Sequence, residues 1–310
     1  MKGATLNKPT ETRPTRLPAS RRTRAAAATS PAVFFGADSE RSFALDSRDA
    51  VARRESVGRF CLDRFGQGRP IVFLHGLGSE MADLRAIADL SGGHRVLVDL
   101  PGFGAAARPV ITDLGRTARE LVEVLGQQGI GPALFVGCSF GGHVALRVAL
   151  DHPGAVTGLV LVSSGGLFPN PPAELGAAFA EEAMRSRSLD EVRLACEALV
   201  KRPNAATRAF CKRRCAAHRC GDYAAVAAAA TAALADDAAC HLEELGGLSV
   251  DIIHGSADPL VPLAVAEAAA ERIPGARLTV LDQAGHMPWL ETPDAVAALI
   301  RRARVRTTAA

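Results

Sequence analysis

From about residue 55 onward, apolar positions alternate between short continuous runs and stretches at helical spacing. GRFCLDRF (58–65) reads as a strand and GQG as a turn. PIVFLHG (70–76) is too continuously apolar to be half exposed, which predicts a strand covered on both faces. RVLVDLPG (95–102), ALFVG (133–137), TGLVLVSS (157–164), LSVDIIHG (248–255) and ARLTVLD (276–282) follow the same rule. Between them, TDLGRTARELVEVLGQQG (112–129) repeats apolar positions at Leu114, Leu121, Val124 and Leu125, an amphipathic helix closed by glycine. The alternation predicts an α/β fold with a mostly parallel central sheet flanked by helices. From about Gly166 to Gly247 it breaks into Ala-rich helical segments without a convincing strand, predicting a helical cap inserted between two strands.

The first 50 residues differ in kind. MKGATLNKPTETRPTRLPASRRTRAAAATSP is rich in Thr, Pro, Arg and Ala and has no periodic apolar face, so 1–50 is expected to be a mostly disordered basic tail before one domain at 51–310. The net charge of +3 is uneven: residues 1–30 hold seven Lys/Arg against Glu11, which is +6, and the remaining 29 basic and 32 acidic residues give −3. With a mildly acidic body and no basic stripe among aromatics, no nucleic-acid partner is expected. Arg21-Arg22 could open an export signal, and the Arg- and Ser-rich character fits an organellar transit peptide; the plain expectation is a solvated tail on a cytoplasmic protein. Seven cysteines without regular spacing agree with a reducing compartment. The apolar run Tyr223–Ala235 stops at Asp236-Asp237, short of the roughly 20 residues a spanning helix needs, so no membrane span is expected.

The candidate chemistry starts at LFVGCSFGGHVAL (134–146). An apolar strand ends at Gly137, and a helical pattern through Val144, Leu146, Val148, Ala149 and Leu150 follows Gly142. Glycines on both sides of Ser139 permit a sharp strand-to-helix turn that would leave its hydroxyl exposed at a helix N-terminus. A serine hydroxyl is a poor nucleophile at neutral pH and needs a base within hydrogen-bond reach. In the order of the chain, Asp258 and His286 each fall just past a predicted strand end and could supply the orienting acid and the base. Asp282, ending a strand near His286, is a rival for the acid; Asp258 is preferred because it has its own post-strand turn.

Over residues 55–305 the chain resembles serine-nucleophile enzymes of the α/β-hydrolase fold that carry a helical cap. Four segments join the elbow in carrying that resemblance: HGLG (75–78), DLPGFG (99–104), HGSADPLVP (254–262) and AGHMPWLETP (284–293). It implies a catalytic triad of Ser139, Asp258 and His286, and an oxyanion hole from the backbone N–H groups of Leu77 and Phe140. It implies no cofactor and no metal. His75 would buttress the oxyanion loop, Asp99 would be structural, and Cys138 is expected to be a buried small hydrophobe. In CKRRCAAHRC, the residues Cys211, Cys215, His218 and Cys220 could bind zinc, but four ligands within one helix-length run do not easily surround an ion, so a cationic cap helix is preferred.

Relatives that open epoxides or displace halide use an aspartate nucleophile; here it is serine. The chain has one tyrosine, Tyr223, and one tryptophan, Trp289, which also disfavours both chemistries. The expectation is a hydrolase of a small, mostly apolar ester, lactone or thioester acting through an acyl-enzyme. A C–C bond hydrolase, or a cofactor-free lyase or synthase on the same fold, is the alternative, and a non-catalytic binding module comes last.

Overall fold

The computed structural model describes residues 33–35, 53–106, 109–168, 188–221 and 223–309. Among the described residues nine strands form one sheet: β1 (Val33–Phe35), β2 (Arg53–Val57), β3 (Phe60–Phe65), β4 (Pro70–Leu74), β5 (His94–Asp99), β6 (Ala133–Cys138), β7 (Val156–Val162), β8 (Val250–Gly255) and β9 (Arg277–Leu281). Their order is β1-β9-β8-β7-β6-β4-β5-β3-β2. Only the β2–β3 and β3–β5 pairs are antiparallel. This is the expected α/β class. The expected tail lies outside the described residues, except that Val33–Phe35 pairs in parallel with β9.

The continuous apolar runs are explained by burial on two sides. Along β4, Val72 and Leu74 join one apolar cluster while Ile71 and Phe73 join the other. In β6, Phe135 and Val136 divide the same way. The first cluster is closed by α2 (Leu114–Gln127), α3 (Phe140–Asp151) and α7 (Leu263–Arg272), the second by α1 (Arg85–Ser91) and α9 (Pro293–Ala309). Each fully buried Val, Leu, Ile or Phe contributes about 1.5–3 kcal/mol, which favours the two-sided arrangement. In α2 the residues Leu114, Leu121, Val124 and Leu125 are buried as the spacing predicts, and the Asp113 side chain caps the helix by accepting from the Arg116 N–H at 2.7 Å.

One local reading needs correction. Residues 58–65 are not all strand: Gly58 has φ +59° and, with Arg59, makes a two-residue hairpin turn between Val57 and Phe60. The strand before it, β2, carries Arg53, Arg54, Glu55 and Ser56, and pairs only with β3 at the edge of the sheet. A polar edge strand gives no apolar run by which to find it.

Between β7 and β8 the described residues contain no strand but three α-helices, α4 (Leu189–Ala198), α5 (Ala205–Arg219) and α6 (Tyr223–Ala235), followed by two short 3-10 turns. Side-chain capping boxes start the first two, at Ser188 with Glu191 and at Asn204 with Thr207. A short helix α8 (Pro288–Glu291) precedes α9.

Candidate active site

Ser139 sits between β6 and α3 with φ 51° and ψ −116°, a conformation sparsely populated by residues with a Cβ. Neighbouring segments hold it there: its N–H donates to Val162 O at 3.0 Å, and its carbonyl accepts from the Gly165 and Gly142 N–H groups, each at 2.9 Å. The flanking glycines are required by close approach. A Cβ on Gly137 would collide with Gly142, and one on Gly141 would collide with the carbonyl of Leu74. The sequence therefore dictates the turn, and the turn aims the serine off the carboxyl edge of the sheet, where open α/β sheets place their sites.

Two more predicted residues converge there, from the loops after β8 and β9. His286 Nε2 lies 3.0 Å from Ser139 Oγ. Its Nδ1 lies 2.9 Å from Asp258 Oδ2 and 3.1 Å from Oδ1. The Asp258 side chain is fully buried, and Oδ1 also accepts from the Leu260 and Val261 N–H groups at 2.8 and 3.0 Å. Burial pushes this carboxyl up, but the hydrogen bond and charge of His286, with the two backbone amides, outweigh it and hold Asp258 below the ordinary aspartate value. Asp258 is thus both an Asx turn and the partner of the imidazole. The rival Asp282 is exposed and meets Ser256 Oγ at 3.5 Å.

The HGLG loop lies against the elbow. A Cβ on Gly76 would stand 3.3 Å from Ser139 Cβ, so a larger residue there would press on the elbow. His75 is fully buried, and burial holds its imidazole below the usual value. The Leu100 N–H donates to His75 Nε2 at 3.0 Å, so the neutral ring carries its proton on Nδ1 and donates to Gly76 O at 2.8 Å. Asp99 accepts from the Met81 and Ala105 N–H groups at 2.6 and 2.8 Å, a structural role. Cys138 is buried with its thiol pushed far up by desolvation.

Leu77, Ser139 and Phe140 open onto one pocket, closed by Phe168, by Ala230, Ala233 and Leu234 of α6, and by Leu260 and Val261. Phe210 of α5 does not line this pocket and is buried in the second apolar cluster. Besides Ser139, the polar side chains lining the pocket are His143 and Asp236, paired at 2.8 Å. Sequence reasoning missed this pair, since 93 positions separate its members. The zinc candidates do not assemble: among the described residues no group of three His, Cys, Asp or Glu could hold a metal ion. Nor is any described helix long and apolar enough to cross a membrane.

Residues 71–299 match the Alpha/beta hydrolase family. The chain belongs to that family. This hydrolase is 32% identical over 262 residues to the pimeloyl-[acyl-carrier protein] methyl ester esterase of Aeromonas hydrophila, an alignment covering 75% of this chain and 94% of the relative. It is 30% identical over 250 residues to the 2-hydroxymuconate semialdehyde hydrolase of Pseudomonas sp. strain CF600, covering 76% and 86%. In structure it is similar to a putative lipase from Acinetobacter baumannii AYE, with a TM-score of 0.71 at 19% identity, covering 83% of this chain and 92% of that one.

Proposed function

We propose that the chain is a serine esterase that cleaves a carboxylic ester of a small, mostly apolar acyl group through an acyl-enzyme. The observation that carries this is the continuous relay from Ser139 Oγ through His286 to the buried Asp258, opening on an apolar pocket. Asp258 accepts the Nδ1–H of His286, so Nε2 faces Ser139 as an acceptor. As Ser139 Oγ bonds to the ester carbonyl carbon, its proton passes to His286 Nε2, and Asp258 stabilises the imidazolium. The backbone N–H groups of Phe140 and Leu77 receive the oxyanion, a contribution of about 3 kcal/mol for each donor. Collapse of the tetrahedral species breaks the C–O bond, and the imidazolium returns its proton to the departing alkoxide. Water, activated by the same imidazole, then releases the acid and restores Ser139.

A second reading is a C–C bond hydrolase, favoured by the relative named for 2-hydroxymuconate semialdehyde; the ester reading leads because the most similar relatives include several named as methyl ester esterases. The test is a panel of short- and medium-chain methyl esters, aryl esters, thioesters, lactones and dienoic diketones, assayed with wild type and Ser139→Ala. Ester turnover that disappears in Ser139→Ala is expected. Turnover confined to the diketones would favour the second reading, and equal ester turnover by both proteins would remove the first.

A further inference from the structure

The loop that carries His286 is held by a carboxylate outside the triad. Glu291, five residues beyond His286, is buried at 7% exposure. Its Oε1 accepts from the N–H groups of Gly285 and Met287, the two neighbours of His286, at 3.1 and 3.2 Å. Its Oε2 accepts from the Lys201 and Arg202 N–H groups at 2.9 and 2.8 Å, in the segment joining α4 to α5, and shares the Gly285 N–H at 3.1 Å. The remaining amide of the loop, that of His286, donates to Leu199 O at 2.8 Å in that same segment. The approach at this junction leaves no room for a side chain: a Cβ on Gly285 would stand 2.5 Å from Leu199 O and 3.0 Å from Glu291 Oε1.

We propose that Glu291 is a positioning residue that fixes the backbone on both sides of His286 to the inserted cap, so that the base and the cap form one rigid unit. This rests on the role given above to His286. A buried carboxylate bound by four N–H donors is held in one orientation. Both oxygens are needed, because Oε1 alone takes the Met287 amide and Oε2 alone takes those of Lys201 and Arg202, while the Gly285 amide is shared between them. The isosteric Glu291→Gln keeps one acceptor oxygen and turns an NH2 group toward N–H donors, so one side of the clamp must open. Misplacement of a reacting group by about 1 Å costs on the order of 100-fold in rate.

The test compares wild type with Glu291→Gln as full-length chains, on the best ester of the panel. The expected result is a kcat lowered at least tenfold, with KM within threefold, in a protein whose far-ultraviolet circular dichroism is native. Trp289, the only tryptophan, reports on the loop independently of turnover, since its buried ring packs edge-on against His286 with centroids 6.0 Å apart. Its emission should move to longer wavelength in the variant. A folded variant with kcat within tenfold of wild type and unchanged emission would overturn the proposal.

If Glu291→Gln fails to fold, hydrogen exchange of the wild type decides. The amides of Lys201 and Arg202 should be protected to within tenfold of those of Gly285 and Met287, and a larger difference would mean that the two segments open separately. Should the wild type hydrolyse no ester at all, the esterase reading fails, while the emission and exchange results still decide the clamp.

Discussion

Asp258→Asn should remove nearly all activity while keeping the fold, and the direction follows from how the carboxylate is held. Oδ1 accepts from two backbone N–H groups, those of Leu260 and Val261. An asparagine in this place must keep its carbonyl oxygen on those donors, which turns its NH2 group toward His286 Nδ1. The imidazole then accepts at Nδ1 and carries its proton on Nε2, so it donates to Ser139 Oγ and cannot take the serine proton. Loss of the productive tautomer costs about 1,000- to 10,000-fold in kcat, or about 4–5.5 kcal/mol of transition-state stabilisation. The assay is steady-state hydrolysis of the preferred ester from pH 6 to 9, with circular dichroism as the check on folding and Asp282→Asn as the control. Because Asp282 is exposed and bonded to Ser256, its change should alter kcat less than twofold. A kcat for Asp258→Asn within tenfold of wild type would refute the tautomer reasoning, as would a larger loss from Asp282→Asn.

Acid should weaken the fold through the same carboxylate. The folded-state pKa of Asp258 is depressed, so its stabilisation is complete above the ordinary aspartate value of about 3.9 and is lost as pH falls through the lower folded value. Asp236 behaves alike: burial raises its carboxyl, but His143, the Ala238 amide and Arg147 outweigh burial and lower it. The gap in Tm between wild type and Asp258→Asn should therefore shrink between pH 6 and pH 3; a gap that is constant or widens would contradict the assignment. Gly141→Ala should destabilise by about 1–3 kcal/mol or more in urea unfolding, because its Cβ meets backbone carbonyls of Leu74 and His75 that cannot rotate away. A variant as stable as wild type would show that the elbow can relax.

Much of this architecture is legible in the sequence because the physics there is local. Strands buried on both faces must be apolar throughout, so PIVFL and ALFVG declare themselves, and the glycines around Ser139 mark a turn that no larger residue could make. The post-strand positions of Asp258 and His286 are likewise readable, because parallel strands in one sheet end on one edge. What escapes is set by distant contacts. The pairing of Asp258 rather than Asp282 with His286 depends on where two loops fold, and the His143–Asp236 pair joins α3 to the end of α6. Glu291 left a faint signal, a lone acid in the otherwise apolar MPWL stretch, but its partners are backbone amides of the cap, which no side-chain pattern records.

The central claim is that Ser139 carries the acyl group. The direct measurement is intact mass of the protein quenched in acid within milliseconds of mixing with an activated short-chain ester, followed by peptide mapping. The account predicts a mass gain of one acyl group on the peptide containing Ser139, formed in a burst, and absent in Ser139→Ala together with turnover. Full turnover with no adduct, or an adduct on any other residue, would contradict it.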